Sequence, residues 1–358
     1  MKIKSALISV SNKDKLNDLL QILRKYNVKL ISSGGTYSKI RSLGFKCIEV
    51  SEYTGFPEIL DGRIKTLHPK IHSGILFKRN KGSHKKTIKK FNIESIDLVI
   101  TNFYPFVKTV DETNNKKKII ENIDIGGPTL VRSAAKNYND VTVITRVDQY
   151  KKLINELHLY KGGTSLKFRE QMSREAFGET ASYDTSIYKY FNSISKKTFP
   201  DKLILNGKMI NQLRYGENPH QSGAIYSNQE DFKFKKIQGK DLSYNNYNDI
   251  FACLNLSKTL PKNRGTVIVK HANPSGVSIE KNHLQSYLSA MNCDPISSFG
   301  GIVACNYKVS HKIAKEIIKN YYEVIIANGF DENALKLLKT KKNLRLIDSS
   351  KIPLKKKQ

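Results

Sequence analysis

Short apolar runs at residues 6–10, 29–32, 47–50, 98–102 and 141–145 punctuate the first half of the chain. Runs of this length without strict alternation predict strands buried on both faces, as in a parallel sheet. Between them the period changes. Over 15–26, Leu16, Leu19, Leu20 and Leu23 recur at helical spacing, and 36–43 reads as a helix that follows Ser33-Gly34-Gly35 and stops at Gly44. Alternation of this kind predicts a doubly wound α/β sheet with ligands beyond the carboxyl ends of its strands. Over 167–191, Phe168, Met172, Phe177, Tyr183, Ile187, Tyr188 and Phe191 return mostly at helical steps, predicting a long helix that closes the first domain. The stretch 195–201 is polar, basic and broken by Pro200, which predicts a linker over 196–202 between domains at 1–195 and 203–358. The second domain again mixes strands (266–269, 301–304, 324–327) with helices (249–260, 312–321), an α/β pattern. Residues 351–358 read as a solvated end, and no internal repeat is present.

Composition narrows the classes of function. The chain has 358 residues, 39% hydrophobic and 26% charged, and Lys+Arg total 61 against 32 for Asp+Glu, a formal net charge of +29. Such a field attracts nucleic acid, anionic membranes and phosphorylated metabolites alike. The basic residues are spread along the chain beside abundant Asn and Ile. No arginine-rich tract or aromatic RNA-binding signature accompanies them, so a compositional bias explains the excess better than a nucleic-acid role. Cys47, Cys253, Cys293 and Cys305 form no CxxC pair, which predicts reduced thiols in a cytoplasmic compartment and no structural zinc. The apolar start at 6–10 meets Lys13 and Asp14 too soon for a signal peptide. No run is long enough to span a bilayer.

Several segments are poor core material and good chemistry. Residues 61–70 carry Arg63, Lys65, Lys70, His68 and Thr66. Arg supplies a planar donor fork for phosphate and Lys a point charge that exchanges protons, a pairing suited to an anionic substrate. Ser33-Gly34-Gly35-Thr36 lies between a strand and a helix, where backbone N–H groups face an anion, and Lys13 falls on the same sheet edge. Asn102-Phe103-Tyr104-Pro105-Phe106 ends another strand and offers a phenol. Asp124-Ile125-Gly126-Gly127-Pro128 sets a carboxylate before a glycine turn, and Arg132 and Lys136 follow four residues apart on one helix face. Lys13, Ser33, Lys65, Tyr104 and Asp124 therefore converge at strand ends or in the loops beyond. In the second domain, 214–221 (RYGENPHQ) is nearly free of apolar residues, and Lys270-His271 follows the strand at 266–269, with Asn-Pro-Ser-Gly expected to lock the pair. A cation beside an imidazole disfavours a second positive charge and favours the neutral ring, the form that serves as a base or proton shuttle.

In this order the segments resemble the bifunctional purine biosynthesis enzymes that combine IMP cyclohydrolase with AICAR formyltransferase. The resemblance runs from Ala6 to about Ile347 on the motifs RIKTLHPKIHSG, DIGGPTLVRSAAKN, RYGENPHQ and VKHANPSG. It implies a methylglyoxal-synthase-like first domain that closes the purine ring of a formylated aminoimidazole carboxamide ribotide. It also implies a cytidine-deaminase-like second region that takes formyl from 10-formyltetrahydrofolate as co-substrate, with no tightly bound cofactor or metal. By the same resemblance Lys65, Tyr104, Asp124 and Lys136 are the proton-transfer and oxyanion-stabilising groups of ring closure. Lys13, Ser33, Gly34, Gly35 and Thr36 hold the ribotide phosphate, with Arg63 and Thr66 nearby. Lys270 and His271 handle protons in formyl transfer, and Arg214, Tyr215, His220 and Asn246 bind the ribotide. A cytoplasmic homodimer with sites near the interface is implied, with neither nucleic acid nor membrane as partner.

Family members continue past the point where this chain stops. The second fold is expected to be partial, so that the chain closes the ring but does not transfer formyl unaided, as a fragment or completed by a second polypeptide. No H-x-E or C-x-x-C zinc signature is present, which argues against base deamination. Two rival readings remain at this level. One is a monofunctional cyclohydrolase whose second region serves dimerisation or ribotide binding. The other is a basic nucleic-acid-binding protein, whose affinity would fall steeply with salt.

Overall fold

A computed structural model describes residues 1–64, 66–195, 197–227 and 234–352. Lys65, the first linker residue Lys196, and residues 353–358 of the tail lie outside the described residues. The chain divides into two compact units, Met1–Ile204 and Leu205–Gln358.

The first unit is built on five strands, β1 (Ser5–Val10), β2 (Lys29–Ser32), β3 (Ile48–Glu49), β4 (Leu98–Asn102) and β5 (Thr142–Ile144). They form one sheet in the order β3-β2-β1-β4-β5, and every pair is parallel. Leu7, Ile8, Ile31, Val99, Ile100 and Ile144 are almost wholly buried, as strands covered on both faces require. The apolar run at 47–50 is shorter as a strand than its composition suggests. Only Ile48 and Glu49 pair, with Ile31 and Ser32, and Val50 already begins the helix Val50–Thr54, which turns its side chain into the core. The long helix spans Leu166–Ile194, and its start is capped by Ser165 Oγ, which accepts the Phe168 N–H at 3.1 Å. Phe168, Met172 and Ala176 enter the main core. Further along, Tyr183 and Tyr190 form a separate cluster with Phe106 and Ile119.

In the second unit β6 (Lys208–Gln212) and β7 (Ala224–Ser227) form an antiparallel hairpin of their own. The remaining strands are β8 (Lys235–Gln238), β9 (Gly265–Lys270), β10 (Asn273–Ile279), β11 (Ile302–Cys305), β12 (Val324–Ala327) and β13 (Arg345–Asp348). They make a mixed sheet in the order β10-β9-β11-β12-β13-β8, parallel only across β11, β12 and β13. Alternate residues serve opposite faces, as the two-residue period of a strand demands. Val267, Val269, Ile302 and Ala304 pack with Ile250 and Leu254 of the helix Tyr244–Thr259. Ile268, Val303 and Cys305 pack with Tyr287, Ala290, Ile313 and Ala314 from the helices on the other side.

Asn273-Pro274-Ser275-Gly276 is not the lock that the residue types suggested. The turn is His271-Ala272, both in the left-handed region at φ 52° and 59°, and Asn273 already pairs with Lys270. Positive φ at both central residues is the geometry of a two-residue hairpin turn whose twist matches the strands. Pro274 is tolerated because β10 is an edge strand with an irregularity between Pro274 and Gly276. Gly276 is required sterically, since a Cβ there would run into the Ala290 carbonyl of the helix His283–Cys293. Gly276→Ala is expected to destabilise the unit by about 1–3 kcal/mol through overpacking, read as an earlier urea midpoint with unchanged slope.

Among the described residues no helix is long and apolar enough to cross a membrane, and no group of three or more His, Cys, Asp or Glu could hold a metal ion.

Candidate active site

The parallel order of the first sheet brings the carboxyl ends of β1, β2 and β4 to one edge, where a doubly wound fold opens its ligand crevice. A cleft of about 630 Å³ lies there. Lys13 reaches it from the loop after β1, Ser33, Gly35 and Thr36 from the turn after β2, and Tyr104 from the loop after β4. Arg63 and Thr66 line a second side, Asp124, Gly126 and Gly127 a third. Asn102 braces the rim: its Oδ1 accepts the Asn12 N–H at 2.8 Å and its Nδ2 donates to the Asn12 carbonyl at 3.0 Å.

One end of the cleft gathers a helix start, a lysine and a hydroxyl, groups whose chemistry suits an anion. Ser33 precedes the helix Gly34–Ser42 in extended geometry, yet its hydroxyl does not cap it. Ser33 Oγ is buried and has no hydrogen-bond partner in the structure. Gly34 sits at φ 52°, a conformation that other residues rarely adopt. The first-turn N–H groups of a helix have no intrahelical acceptor and carry the positive end of its dipole. Above them Lys13 Nζ donates to the Ser11 carbonyl at 3.3 Å and lies 4.0 Å from where a Cβ on Gly35 would point. Thr36 lines the cleft and also braces it. Its Oγ1 accepts the Val10 N–H and donates to the Val10 carbonyl, both at 3.0 Å, so the side chain ties the helix to β1.

A valine at Gly35 fits the backbone but fills the space between the helix start and Lys13. On the resemblance given above, Gly35→Val is expected to weaken binding of the implied ribotide by at least about tenfold, the scale of a lost charge-assisted hydrogen bond, and to leave the dephosphorylated nucleoside nearly unaffected. Titration calorimetry of both ligands decides; equal losses place the phosphate elsewhere.

The other end holds the carboxylate. Asp124 Oδ1 accepts the Gly127 N–H at 2.8 Å, at the start of the helix Gly126–Lys136. Both glycines make room: a Cβ on Gly126 would lie 2.7 Å from Thr66 Oγ1, and one on Gly127 would collide with Asp124 Oδ2. The Asp124 N–H donates to Tyr183 Oη at 2.8 Å. Arg63 is held by Glu121 through two hydrogen bonds, one of them Nε to Oε1 at 3.1 Å, and this guanidinium keeps the exposed Glu121 carboxyl below its usual range. Glu121 and Tyr183 escape sequence reasoning. One ends a lysine-rich helix and the other sits in an ordinary helical repeat, so neither has a local signal.

The structure does not bring all of the expected groups into view at this cleft. Lys65 lies outside the described residues. Lys136 is exposed at the far end of the helix that begins at Gly126, ten residues on and so about 15 Å along the axis, and does not line the cleft.

In the second unit Lys270 ends β9, and its Nζ donates to the Phe299 carbonyl at 2.9 Å. His271 is exposed at the tip of the turn, which Asp249 fixes by accepting the Ala272 N–H at 2.7 Å. Asn246 is buried and spoken for. It forms a reciprocal helix cap with Ser243, and its Nδ2 donates to Glu323 Oε2 at 2.7 Å. The Arg214 guanidinium stands 5.9 Å from the Tyr215 ring centre. His220 is exposed on a loop closed by the Gly216 N–H to the Gln221 carbonyl at 2.7 Å. A cleft of about 710 Å³, lined by Lys240, Phe299, Glu323, Lys341, Lys342 and Arg345 among others, opens at the amino ends of β12 and β13. None of the six expected residues lines it. Lys270 and Asn246 reach it only through their bonds to Phe299 and Glu323. Composition at Phe299 and Glu323 gives no hint of this, because the sheet order alone brings them to that edge.

Comparison with known proteins accounts for both units. The AICARFT/IMPCHase bienzyme profile matches residues 134–358, and the MGS-like domain profile matches residues 15–129. The chain is 42% identical, over 98% of its length, to the bifunctional purine biosynthesis protein PurH of Bradyrhizobium diazoefficiens, of which it spans 68%. Proteins of the same name from Acetivibrio thermocellus and Clostridium kluyveri are 44% and 45% identical, each over 98% of this chain and 70% of their own. A solved structure described as the crystal structure of ForH aligns with 53% of this chain and 99% of its own at 28% identity, with a TM-score of 0.48. The chain belongs to the AICARFT/IMPCHase bienzyme family, the enzymes of purine biosynthesis that pair IMP cyclohydrolase with AICAR formyltransferase.

Proposed function

We propose that residues 1–195 close the purine ring in the cleft beyond β1, β2 and β4, and that residues 203–358 contribute to formyl transfer. The observation that carries the first assignment is the buried, unpartnered Ser33 hydroxyl beside Lys13 at a helix start, facing Asp124 and Tyr104 across one cleft. A ribotide with its phosphate at Ser33, Gly34, Gly35 and Lys13 places its base toward Tyr104 and Asp124. Ring closure joins the carboxamide nitrogen to the formyl carbon and breaks that carbon's bond to oxygen, which leaves as water with one proton from the carboxamide nitrogen and one from the formamido nitrogen, the latter becoming doubly bonded to the new ring carbon. A carboxylate only accepts hydrogen bonds, so Asp124 suits the departing proton, whereas the Tyr104 phenol and the Lys65 ammonium suit the developing tetrahedral oxygen. Lys136 is left out of this set because of its distance.

The second assignment rests on Lys270 at a rigid strand end with His271 on a fixed turn. Here 10-formyltetrahydrofolate is the co-substrate, and Arg214, Tyr215 and His220 bind the ribotide. The family resemblance supports a cytoplasmic homodimer, which light scattering on the purified chain tests.

The two activities are separable in the tube. Incubation with the formylated ribotide is expected to produce the inosine chromophore, and its absence at high enzyme concentration rejects the assignment of the first unit. Release of tetrahydrofolate from the formyl donor in the presence of the aminoimidazole ribotide reads the second unit independently.

A further inference from the structure

Tyr183 comes from the long closing helix, about sixty residues after the loop it touches, and belongs to none of the motifs that carry the chemistry. Its hydroxyl accepts the Asp124 N–H at 2.8 Å and donates to the Asn122 carbonyl at 3.3 Å. One side chain thus fixes both ends of the three-residue backbone that presents the Asp124 carboxylate. Ile123, between them, packs into the same cluster as Tyr183. The ring works on a second loop. Its centre lies 5.0 Å from that of Phe103, the residue before Tyr104, and 6.2 Å from that of Phe106 just after it. Burial pushes the phenol up to about 12, so it stays protonated and keeps donating across the working pH range.

We propose that Tyr183 is a positioning residue for ring closure, its hydroxyl aiming the Asp124 carboxylate and its ring backing the loop that carries Tyr104. The inference rests on the assignment of Asp124 to ring closure made above. Asp124 Oδ1 also accepts the Gly127 N–H, a contact made by the side chain, whereas Tyr183 holds the backbone that presents it. The Asp124 N–H is part-buried, and on losing this acceptor it seeks another, by rotation of the peptide. Displacement of a reacting group by about 1 Å can cost about a hundredfold in rate.

The test is a double-mutant cycle in the cyclisation assay with Tyr183→Phe, Asp124→Asn and the pair, beside amide exchange at Asp124. Tyr183→Phe keeps the ring and hence the cluster. It is expected to lower kcat by about 10- to 100-fold while KM for the formylated ribotide stays within about twofold. In the Asp124→Asn background the same change is expected to cost nothing further, because the group it aims is already disabled. The Asp124 amide, protected in the unmodified chain, is expected to exchange faster in Tyr183→Phe. Unchanged kcat in Tyr183→Phe overturns the inference, as does an equal fold-loss in both backgrounds. Full activity of Asp124→Asn is a separate result: it removes Asp124 from ring closure, and with it the basis for Tyr183.

Discussion

Asp124→Asn is expected to lower the rate of ring closure by about 10²–10⁴-fold, the range for loss of a positioned proton acceptor. Asparagine keeps an oxygen for the Gly127 N–H and nearly the same volume against Gly127, so the helix start survives. What disappears is the negative charge and the ability to take a proton from the carboxamide nitrogen. The measurement is single-turnover formation of the inosine chromophore, with circular dichroism to show an intact fold. A folded Asp124→Asn enzyme within a factor of about three of the parent is incompatible with proton transfer to this carboxylate. Asp124→Ala is a less informative change, because it also removes the acceptor of the Gly127 N–H and disturbs the glycine turn.

Lys65→Ala is expected to lower cyclisation by at least about two orders of magnitude and to leave the fold unchanged. The case rests on sequence: Lys65 sits between Arg63 and Thr66, and both of those line the cleft beside Asp124 and Gly126. A Cβ on Gly126 would lie 2.7 Å from Thr66 Oγ1, so the residue that follows Lys65 in sequence packs against the glycine turn next to Asp124. An ammonium delivered from that loop would offset the charge on the tetrahedral oxygen, the largest single contribution in many acyl-type reactions. Lys65→Arg separates the possibilities. It keeps the charge but changes the donor geometry and removes exchangeable acidity near neutral pH, so partial recovery indicates electrostatic stabilisation and no recovery indicates proton transfer. Near-parental turnover of a folded Lys65→Ala variant removes the residue from the mechanism.

The strands β1, β2 and β4 were legible almost to the residue because strands buried on both faces become unbroken apolar runs. The strand β10 was not, since Asn-Pro-Ser-Gly has the composition of a turn and only the edge position excuses its proline. Asn246 shows a contact that spacing alone does not reveal. The resemblance assigns it to the ribotide, and in the structure its side chain caps a helix with Ser243 and bonds Glu323. Lys136 is assigned to ring closure by the resemblance; its spacing from Arg132 defines a helix face, and the structure sets it at the end of the helix away from the cleft.

The amino-acid sequence alone determined which residues could do chemistry here and that most of them follow strands, because backbone sterics and apolar periodicity act over a few residues. Tertiary structure decided which of them meet. Tyr183 finds Asp124 across 59 positions, and Arg63 finds Glu121 across 58. Gly126 yields its space to Thr66, and Thr36 spends its hydroxyl on the backbone of β1. These contacts follow from packing one element against another, and no local pattern encodes a distance between segments that only the closed fold brings together.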